Sequence, residues 1–312
     1  MKQIANTIMM IKPVSFRYNE QTAVNNYYQQ VLDNLTQVKT QENALQEFNT
    51  FVEKLRSVDV HVIVIEDSKT PDTPDSIFPN NWVSFHADGT IGLYPMFAEN
   101  RRNERREDIF DILVDEYHFH IEEIKDFTEF EEHDKFLEGT GSMVLDRENK
   151  ICYSAISFRT DEVAVRQFCD EFSYSPVCFT ANQDVGGKRM PIYHTNVMMC
   201  VADKFAVICL DAIDNETERA HVIDSLKESG KEIIDITNEQ KHRFAGNMLQ
   251  LMGDQPYLVM SNSAYSSLTA QQKAAIEKNC PILYSSLDTI EACGGGSARC
   301  MMAEVFLPKQ KQ

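Results

Sequence analysis

The sequence contains no large basic segment. Its 312 residues include 48 acidic and 30 basic side chains, which gives a formal net charge of -18, and the most basic stretch is the short RRNERR at 101–106. Nucleic acids and anionic membranes attract proteins through basic surfaces. The charge balance therefore predicts a protein with no nucleic-acid partner and no membrane partner.

The sequence also lacks a long apolar run. No stretch approaches the roughly 20 apolar residues that a membrane-spanning helix needs. The first segment, MKQIANTIMMIKP, has a broken apolar run and no small-residue cleavage site before Pro13, so it does not resemble a secretory leader. We expect a cytoplasmic protein.

Paired cysteine motifs are absent as well. The eight cysteines include no CxxC pair, which excludes a zinc ribbon or a thioredoxin motif. Several lie in apolar segments such as NVMMCV and FAVICL, where a free cysteine behaves as a small hydrophobic residue. In a reducing compartment we expect most of these cysteines to be free and buried, and we expect no metal site.

No segment of the sequence has the composition of a linker. Glycine and proline together make up 22 of the 312 residues, and GGGS at 294–297 is the longest Gly/Ser tract. The length alone allows one large domain or two ordinary ones. Without a linker, we predict a single domain over residues 1–312.

The sequence does contain a repeated pattern of two short strands, a helix and a third strand. One copy comprises the hairpin GNMLQLMGDQPYLVM, a helix that starts at Thr269 and the strand PILYS. Related stretches lie at 41–67, 81–117, 143–180, 196–237 and 246–285. Repeats of this length predict an α/β fold closed like a propeller, with MMAEVFL at 301–307 pairing with the N-terminal strand. A doubly wound sheet is the alternative, weakened by hairpins that favour antiparallel pairs.

Two cysteines flank the most flexible tripeptide of the chain, in CGGGSARCMMAEVF at 293–306. Cys300 lies where a glycine-rich loop enters a strand, and the glycines would let the backbone approach a ligand closely. This is a suitable place for a nucleophile, but taken alone the stretch is better explained by a glycine-rich loop beside a buried structural cysteine. Cys293 lies upstream of the glycines, and we interpret it as structural.

A thiol nucleophile needs a base and a group that orients the base. His194 in MPIYHTNVMMC directly precedes an apolar hairpin, and Glu138 in FLEGTGSMVLD precedes an apolar strand, so both could face a central site. The pair His118 and His120 has metal-like spacing but no further ligands nearby. For Glu138, the end of a solvated acidic run remains an equal alternative.

Taken in order, these stretches resemble the guanidine-modifying enzyme superfamily, which includes arginine deiminases, dimethylarginine hydrolases, agmatine deiminases and amidinotransferases. The resemblance implies a five-bladed α/β propeller of ββαβ repeats (a pentein), with one central site and no metal or organic cofactor. It implies a nucleophile at Cys300 in GGGSARCM, a catalytic histidine at His194 in HTN and a glutamate at Glu138 in EGTGS.

The resemblance also implies residues that hold a small amino-acid substrate. Arg159 in FRT would bind the substrate α-carboxylate, and Arg101 in PMFAENRR would be a second arginine for that group. Asp75 in PDSIFPNN would contact the amino-acid end of the substrate. Whether the protein forms a homo-oligomer stays open.

Two departures from the family pattern bear on the substrate. Members that process guanidines hold the guanidinium with two aspartates, one in FxRD and one in HxD, but this chain has Asn81 and Asn196 there. A carboxylate binds a cation strongly, whereas an amide both donates and accepts and so suits a neutral ureido group. The departures favour a citrulline hydrolase type, acting on citrulline or another ureido amino acid.

In the resulting hypothesis Cys300 attacks the ureido carbon, His194 protonates the departing nitrogen and then activates water, and Glu138 orients His194. The products would be ornithine, ammonia and carbon dioxide. The alternatives are an arginine deiminase, an amidinotransferase or an arginine-derivative dihydrolase acting on a guanidino group, and a non-catalytic amino-acid sensor on the same scaffold.

Overall fold

The structure is a computed structural model that describes residues 2–32 and 35–310. The strands are short and spread along the whole chain. They are β1 (Thr7–Lys12), β2 (His61–Glu66), β3 (Val83–Phe85), β4 (Thr90–Leu93), β5 (Glu123–Asp126), β6 (Val144–Asp146), β7 (Ile151–Ala155), β8 (Ser175–Phe179), β9 (Asn182–Val185), β10 (Lys188–Pro191), β11 (Met199–Val201), β12 (Phe205–Ile208), β13 (Glu232–Asp235), β14 (Leu249–Met252), β15 (Pro256–Ser261), β16 (Ile282–Ser285) and β17 (Ala303–Glu304).

Helices alternate with these strands. They are α1 (Glu20–Ala23), α2 (Gln37–Arg56), α3 (Glu99–Arg102), α4 (Asp108–Asp115), α5 (Gly139–Ser142), α6 (Glu162–Phe172), α7 (Glu216–Glu228), α8 (Asn238–His242), α9 (Asn262–Ser267), α10 (Ala270–Glu277) and α11 (Asp288–Gly294). Short 3₁₀ turns lie at Pro79–Asn81, Thr128–His133, Thr195–Val197, Leu210–Ala212 and Ala298–Met301. Thr269 caps α10 in a capping box with Gln272, as the sequence predicted.

Five three-stranded sheets repeat one topology. Their strand orders are β17-β1-β2, β3-β4-β5, β6-β7-β8, β11-β12-β13 and β14-β15-β16. In each sheet the first pair is antiparallel and the second pair is parallel, for example β6 with β7 and then β7 with β8. A parallel pair needs a crossover, and a helix supplies it. The ββαβ unit read from the sequence is therefore confirmed.

The first sheet joins the two ends of the chain. β17 pairs with β1 in antiparallel fashion, with Met9 opposite Ala303, as predicted for MMAEVFL. β1 in turn pairs in parallel with β2. This unit therefore takes its first strand from the end of the chain and its other two strands from the beginning.

Contacts link each sheet to the next. β17 lies against β3, β6 against β11 and β11 against β14, while α5, which leads into β6, lies against β3. An isolated parallel bridge between Ala5 and Leu251 connects the fifth sheet to the first. Buried apolar clusters also span neighbouring sheets. One cluster, for example, contains both Met9 of β1 and Phe85 of β3. The sheets thus contact one another in a cyclic order.

Two details differ from the sequence predictions. The repeat at 81–117 predicted one helix after its hairpin, over 101–117, but α3 ends at Arg102 and α4 begins at Asp108. Arg102 Nε donates to Met96 O at 3.1 Å and Arg105 Nη1 donates to Tyr94 O at 3.1 Å, so tertiary hydrogen bonds hold the chain between the two helices. The exposed hairpin of β9 and β10 was not predicted.

The cysteines match the prediction. All eight are free, seven are buried and Cys178 is half-buried. Over residues 2–32 and 35–310, no cluster of three or more His, Cys, Asp or Glu side chains could hold a metal ion. No helix in the same part of the chain is both long and apolar enough to cross a membrane.

Candidate active site

The three residues proposed for catalysis meet where the sheets converge. Glu138 directly precedes α5, His194 directly precedes the 3₁₀ turn that leads into β11, and Cys300 lies in the turn that leads into β17. Each therefore lies just before the first strand of its sheet. All three side chains are at most 2% exposed.

Glu138 and His194 form a direct pair. Glu138 Oε2 and His194 Nε2 are 2.7 Å apart, which leaves Nδ1 as the other ring nitrogen available for proton transfer. Burial lowers the pKa of His194 to about 4, even though the Glu138 hydrogen bond opposes this shift. The imidazole is therefore neutral near pH 7.

Glu138 is held as a carboxylate. Burial by itself would raise its pKa, but Arg159, His194 and Arg101 outweigh burial and lower it. Arg159 Nη1 lies 3.4 Å and Arg101 Nη1 3.9 Å from Glu138 Oε2. Glu138 Oε1 also accepts from Phe97 N at 3.0 Å. An ionised carboxylate next to a neutral imidazole can stabilise the imidazolium that forms during proton transfer.

The thiol of Cys300 contacts two amides. Asn247 Nδ2 is 3.2 Å from Cys300 Sγ and Asn196 Nδ2 is 3.5 Å from it. Asn196, predicted to hold the substrate, thus lies against the sulphur. Asn247 was not singled out from the sequence. The signal was available, because Asn247 precedes β14 as Asn196 precedes β11 and Asn81 precedes β3.

Asn81 lines the cavity and has an unpaired donor. Arg101 Nη1 donates to Asn81 Oδ1 at 2.9 Å, and arginine can only donate, so the Asn81 amide has its oxygen on that side. Asn81 Nδ2 is buried without a hydrogen-bond partner and the residue lines the cavity. A buried donor of this kind needs an acceptor from a ligand or a water.

Asp75 lines the same cavity and has an unpaired acceptor. Its Oδ2 accepts from Asn19 Nδ2 at 2.8 Å and from Thr22 Oγ1 at 3.0 Å. Its Oδ1 is buried without a partner. Burial raises the pKa of Asp75, with Arg101 acting in the opposite direction. A bound cationic group would favour the charged form of this carboxylate.

Arg159 is occupied by the segment around α1. Its Nε and Nη2 donate to Asn25 Oδ1 at 2.8 and 2.6 Å, and Nη2 also donates to Thr22 O at 2.7 Å. The two nitrogens that converge on Asn25 form the fork with which an arginine holds a carboxylate. Asn25, which sequence reasoning missed, thus occupies the guanidinium that was predicted to bind the substrate α-carboxylate.

Arg101 is engaged mainly by protein groups. Its Nε and Nη2 form a bidentate pair with Glu104 at 2.8 and 2.9 Å, and Nη2 also donates to Phe78 O at 3.3 Å. Glu104 had no role in the sequence analysis, and burial raises its pKa to about 7 despite Arg101. The contacts of Arg101 fix the Asn81 amide, and its binding of a substrate carboxylate stays a prediction.

The cavity among these residues is small. It is also lined by groups that sequence reasoning missed, including Phe78, Tyr193 and Asn26. Gly296 also lines it, and a Cβ there would lie only 2.9 Å from the Phe78 ring, so a larger residue would not fit without a shift. The free space is about 10 Å³, which is room for about one water. An amino acid can enter only if this cavity becomes larger.

The sequence matches a known family over almost its whole length. The family is described as N,N dimethylarginine dimethylhydrolase, eukaryotic, and the match covers residues 12–307. A search of curated proteins found no match.

Solved structures show the same fold. ArgZ, an arginine dihydrolase from the ornithine-ammonia cycle in cyanobacteria, superposes with a TM-score of 0.72 at 16% identity, covering 97% of this chain and 41% of that protein. This chain therefore spans about two fifths of full-length ArgZ. The N-terminal domain of ArgZ bound to product gives 0.71 at 17% identity, with coverage of 97% and 99%. A dimethylarginine dimethylaminohydrolase adduct with S-methyl-L-thiocitrulline gives 0.61 at 13% identity, with coverage of 96% and 99%.

Proposed function

The chain belongs to the N,N dimethylarginine dimethylhydrolase family of C–N hydrolases, and we propose that it hydrolyses the ureido group of citrulline or of a related ureido amino acid. The family sets the reaction class, hydrolysis at a carbon bonded to nitrogen. The substrate is inferred from the polar groups of the cavity.

The Asn81 amide carries this proposal. Arg101 binds its oxygen, and its Nδ2 donor is buried without a protein partner in a residue that lines the cavity. A guanidinium offers only N–H donors and would leave this donor unpaired, whereas a ureido carbonyl oxygen accepts from it. A donor at that point also stabilises the oxyanion that forms when the carbonyl carbon is attacked.

Asp75 and Arg159, which also line the cavity, suit the ammonium and carboxylate groups of an α-amino acid. Asp75 Oδ1 is an unpaired buried acceptor that a substrate ammonium group would satisfy. The Arg159 fork would hold the α-carboxylate once Asn25 moves away from it. We infer that substrate binding and movement of the segment around α1 occur together.

The proposed chemistry uses the neutral imidazole. His194 takes the thiol proton as Cys300 Sγ bonds to the ureido carbon, and it gives that proton to the nitrogen whose bond to the carbon breaks. The neutral imidazole then takes a proton from a water that attacks the S-carbamoyl carbon, and the thiolate leaves. The carbamic acid released loses carbon dioxide, so the products are ornithine, ammonia and carbon dioxide.

We also propose that the five sheets are the blades of a five-bladed α/β propeller whose axis passes through the site. Contacts between successive sheets support this arrangement: β17 with β3, α5 with β3, β6 with β11, β11 with β14, and the bridge between Ala5 and Leu251. The cytoplasmic location stays a prediction, and so does any homo-oligomer.

A guanidino substrate is the second candidate. The family description names dimethylarginine, and ArgZ is described as an arginine dihydrolase. Both descriptions therefore favour a guanidino substrate. A dihydrolase would pass through a ureido stage, for which Asn81 is equally suited. A non-catalytic amino-acid sensor is the third candidate, although the Glu138–His194 pair and the nearby thiol support catalysis.

Product analysis distinguishes these candidates. The purified protein is incubated separately with citrulline, arginine, dimethylarginine and agmatine, and the ammonia and amino-acid products are measured. We expect ornithine and ammonia from citrulline, and no turnover of any substrate by Cys300→Ser. Citrulline formed from arginine or dimethylarginine would overturn the ureido proposal, ornithine formed directly from arginine would identify a dihydrolase, and binding without turnover would identify a sensor.

A further inference from the structure

Cys300 Sγ lies in a neutral hydrogen-bonding environment. Its hydrogen-bond partners within residues 2–32 and 35–310 are the side chains of Asn247 and Asn196, and no cationic side chain is among them. His194 is neutral and bound to Glu138. Any stabilisation of a sulphur anion by direct hydrogen bonding must therefore come from the two amides.

Asn247 can contact the sulphur only as a donor. Its Oδ1 accepts from the backbone N–H of Arg299 at 2.9 Å, and its Nδ2 donates to Asn196 O at 3.0 Å and to Cys300 Sγ at 3.2 Å. A flipped amide would place its oxygen against a carbonyl and its NH₂ against an N–H. Hydrogen bonding thus fixes one orientation, with one amide proton for each acceptor.

Asn196 differs from Asn247 in this respect. Cys300 Sγ lies 3.5 Å from its Nδ2 and 3.8 Å from its Oδ1. Asn196 can therefore accept from a thiol or donate to a thiolate. Asn247 can only donate a hydrogen bond to the sulphur. Because a thiolate accepts a hydrogen bond more strongly than a thiol does, this donor favours the thiolate.

The backbone holds Asn247 in this place. Gly246 packs directly on the turn that carries Asn196, because a Cβ at residue 246 would lie 2.4 Å from Val197 O. Phe244 has a φ of 60°, in the left-handed region, which turns the chain toward the site. The Asn247 side chain is fully buried, so solvent does not compete for its amide protons.

We propose that Asn247 is a positioning residue that holds Cys300 Sγ and selectively stabilises its thiolate through a neutral donor. The inference rests on the proposed role of Cys300 as nucleophile. The contact with Arg299 N–H also ties Asn247 to the turn that carries Cys300, so the donor stays aligned with the sulphur. A neutral donor stabilises the anion without adding a positive charge to the cavity.

The test is the pH dependence of Cys300 alkylation by iodoacetamide, followed by mass spectrometry. Asn247→Asp keeps an acceptor for Arg299 N–H and replaces the NH₂ by an oxygen, so we expect the midpoint of the profile to move to higher pH and the rate at pH 7 to fall about tenfold or more. Asn247→Ala removes the donor without adding charge, so a smaller shift in the same direction is expected.

Two controls separate this effect from a general loss of structure. Asn80→Ala removes a buried amide whose Nδ2 binds Thr140 Oγ1 at 3.3 Å, not the sulphur, and it should leave the Cys300 profile unchanged. The half-buried Cys178 of the same sample serves as an internal reference. An unchanged Cys300 profile in folded Asn247→Asp and Asn247→Ala would overturn the inference.

The proposed function can fail separately. If Cys300→Ser retained turnover, the nucleophile assignment would be wrong whatever the alkylation profiles showed. If Cys300→Ser abolished turnover and Asn247→Asp left the alkylation profile unchanged, the role of Asn247 alone would be wrong.

Discussion

At the scale of single residues, chemistry at this site depends on which atoms of each amide are already used. Arg101 occupies Asn81 Oδ1, and Arg299 N–H occupies Asn247 Oδ1, so the Asn247 NH₂ is directed to Cys300 Sγ and the Asn81 NH₂ is left without a protein partner. The sequence identified Asn81 and Asn196 as amides in place of carboxylates. It could not give the orientation of the Asn81 amide, because Arg101, which binds the Asn81 oxygen, lies 20 residues away along the chain.

The substitution Asn81→Asp tests the proposed role of the donor. Asp keeps the acceptor for Arg101 and replaces the cavity-facing NH₂ by a carboxylate oxygen, which repels a ureido oxygen and attracts a guanidinium. We expect kcat/KM for citrulline to fall roughly 10²–10³-fold, the usual effect of removing an oxyanion donor, and any activity on arginine to rise. Both values are measured by ammonia release.

The adjacent Asn80 offers the matched control for that experiment. Asn80 is also buried. Its Nδ2 donates to Thr140 Oγ1, so this amide is already paired within the protein. If Asn80→Asp reduced citrulline turnover as much as Asn81→Asp does, the effect would come from buried charge in general, and the specific role of the Asn81 donor would be refuted.

At the scale of elements, the site is built from equivalent positions in repeated units. The turns Pro79–Asn81, Thr195–Val197 and Ala298–Met301 each lead into the first strand of a sheet. The repeat was readable from the sequence, because hairpins and helices have different apolar periods. The segment around α1 was not identified as part of the site, because its contacts with Arg159 are made by a carbonyl and an amide without a motif.

Helix α11 and the glycine loop after it give a prediction about pH. Burial raises the pKa of Glu291 to about 7, although its oxygen Oε1 accepts from Ser297 Oγ at 2.6 Å. The native carboxyl then holds its proton more tightly than the unfolded one, whose pKa is about 4.5. The stability that this proton contributes is present below about pH 4.5 and is lost as the pH rises toward 7.

Glu291→Gln removes this titration and keeps an acceptor for Ser297. We expect the variant to gain stability relative to the parent as the pH rises from 5 to 8, by roughly 3 kcal/mol at most. Urea denaturation at several pH values measures the difference, and exposed Glu277→Gln corrects for the loss of one negative charge. A difference that stays constant with pH would refute the prediction.

At the scale of the whole molecule, the two ends of the chain complete one sheet. β17 supplies its first strand, and Cys300 lies in the turn just before β17. Val305 and Leu307, which follow β17, are buried with Met9 of β1 in one apolar cluster. The proposed closure of the propeller and the placement of Cys300 therefore depend on the same terminal segment.

Truncation tests this dependence. A chain ending at Met302 keeps Cys300 but lacks β17 and the apolar side chains that follow it, so we expect it to lose its cooperative thermal unfolding transition and its turnover. A chain ending at Pro308 keeps those groups and should retain a cooperative transition. Circular dichroism and ammonia release report the two properties, and a cooperative transition in the shorter chain would contradict the proposed role of β17.

The sequence by itself determined the repeated ββαβ unit and the pairing of the chain ends, and it singled out Glu138, His194 and Cys300 as candidates, because strand and helix periods and short motifs are local patterns. Only the tertiary structure decided that His194 is neutral, that Asn25 occupies Arg159, and that Asn247 donates to Cys300. Burial and hydrogen-bond partners depend on segments that are distant along the chain, such as residues 25 and 159, and these meet only when the sheets pack together.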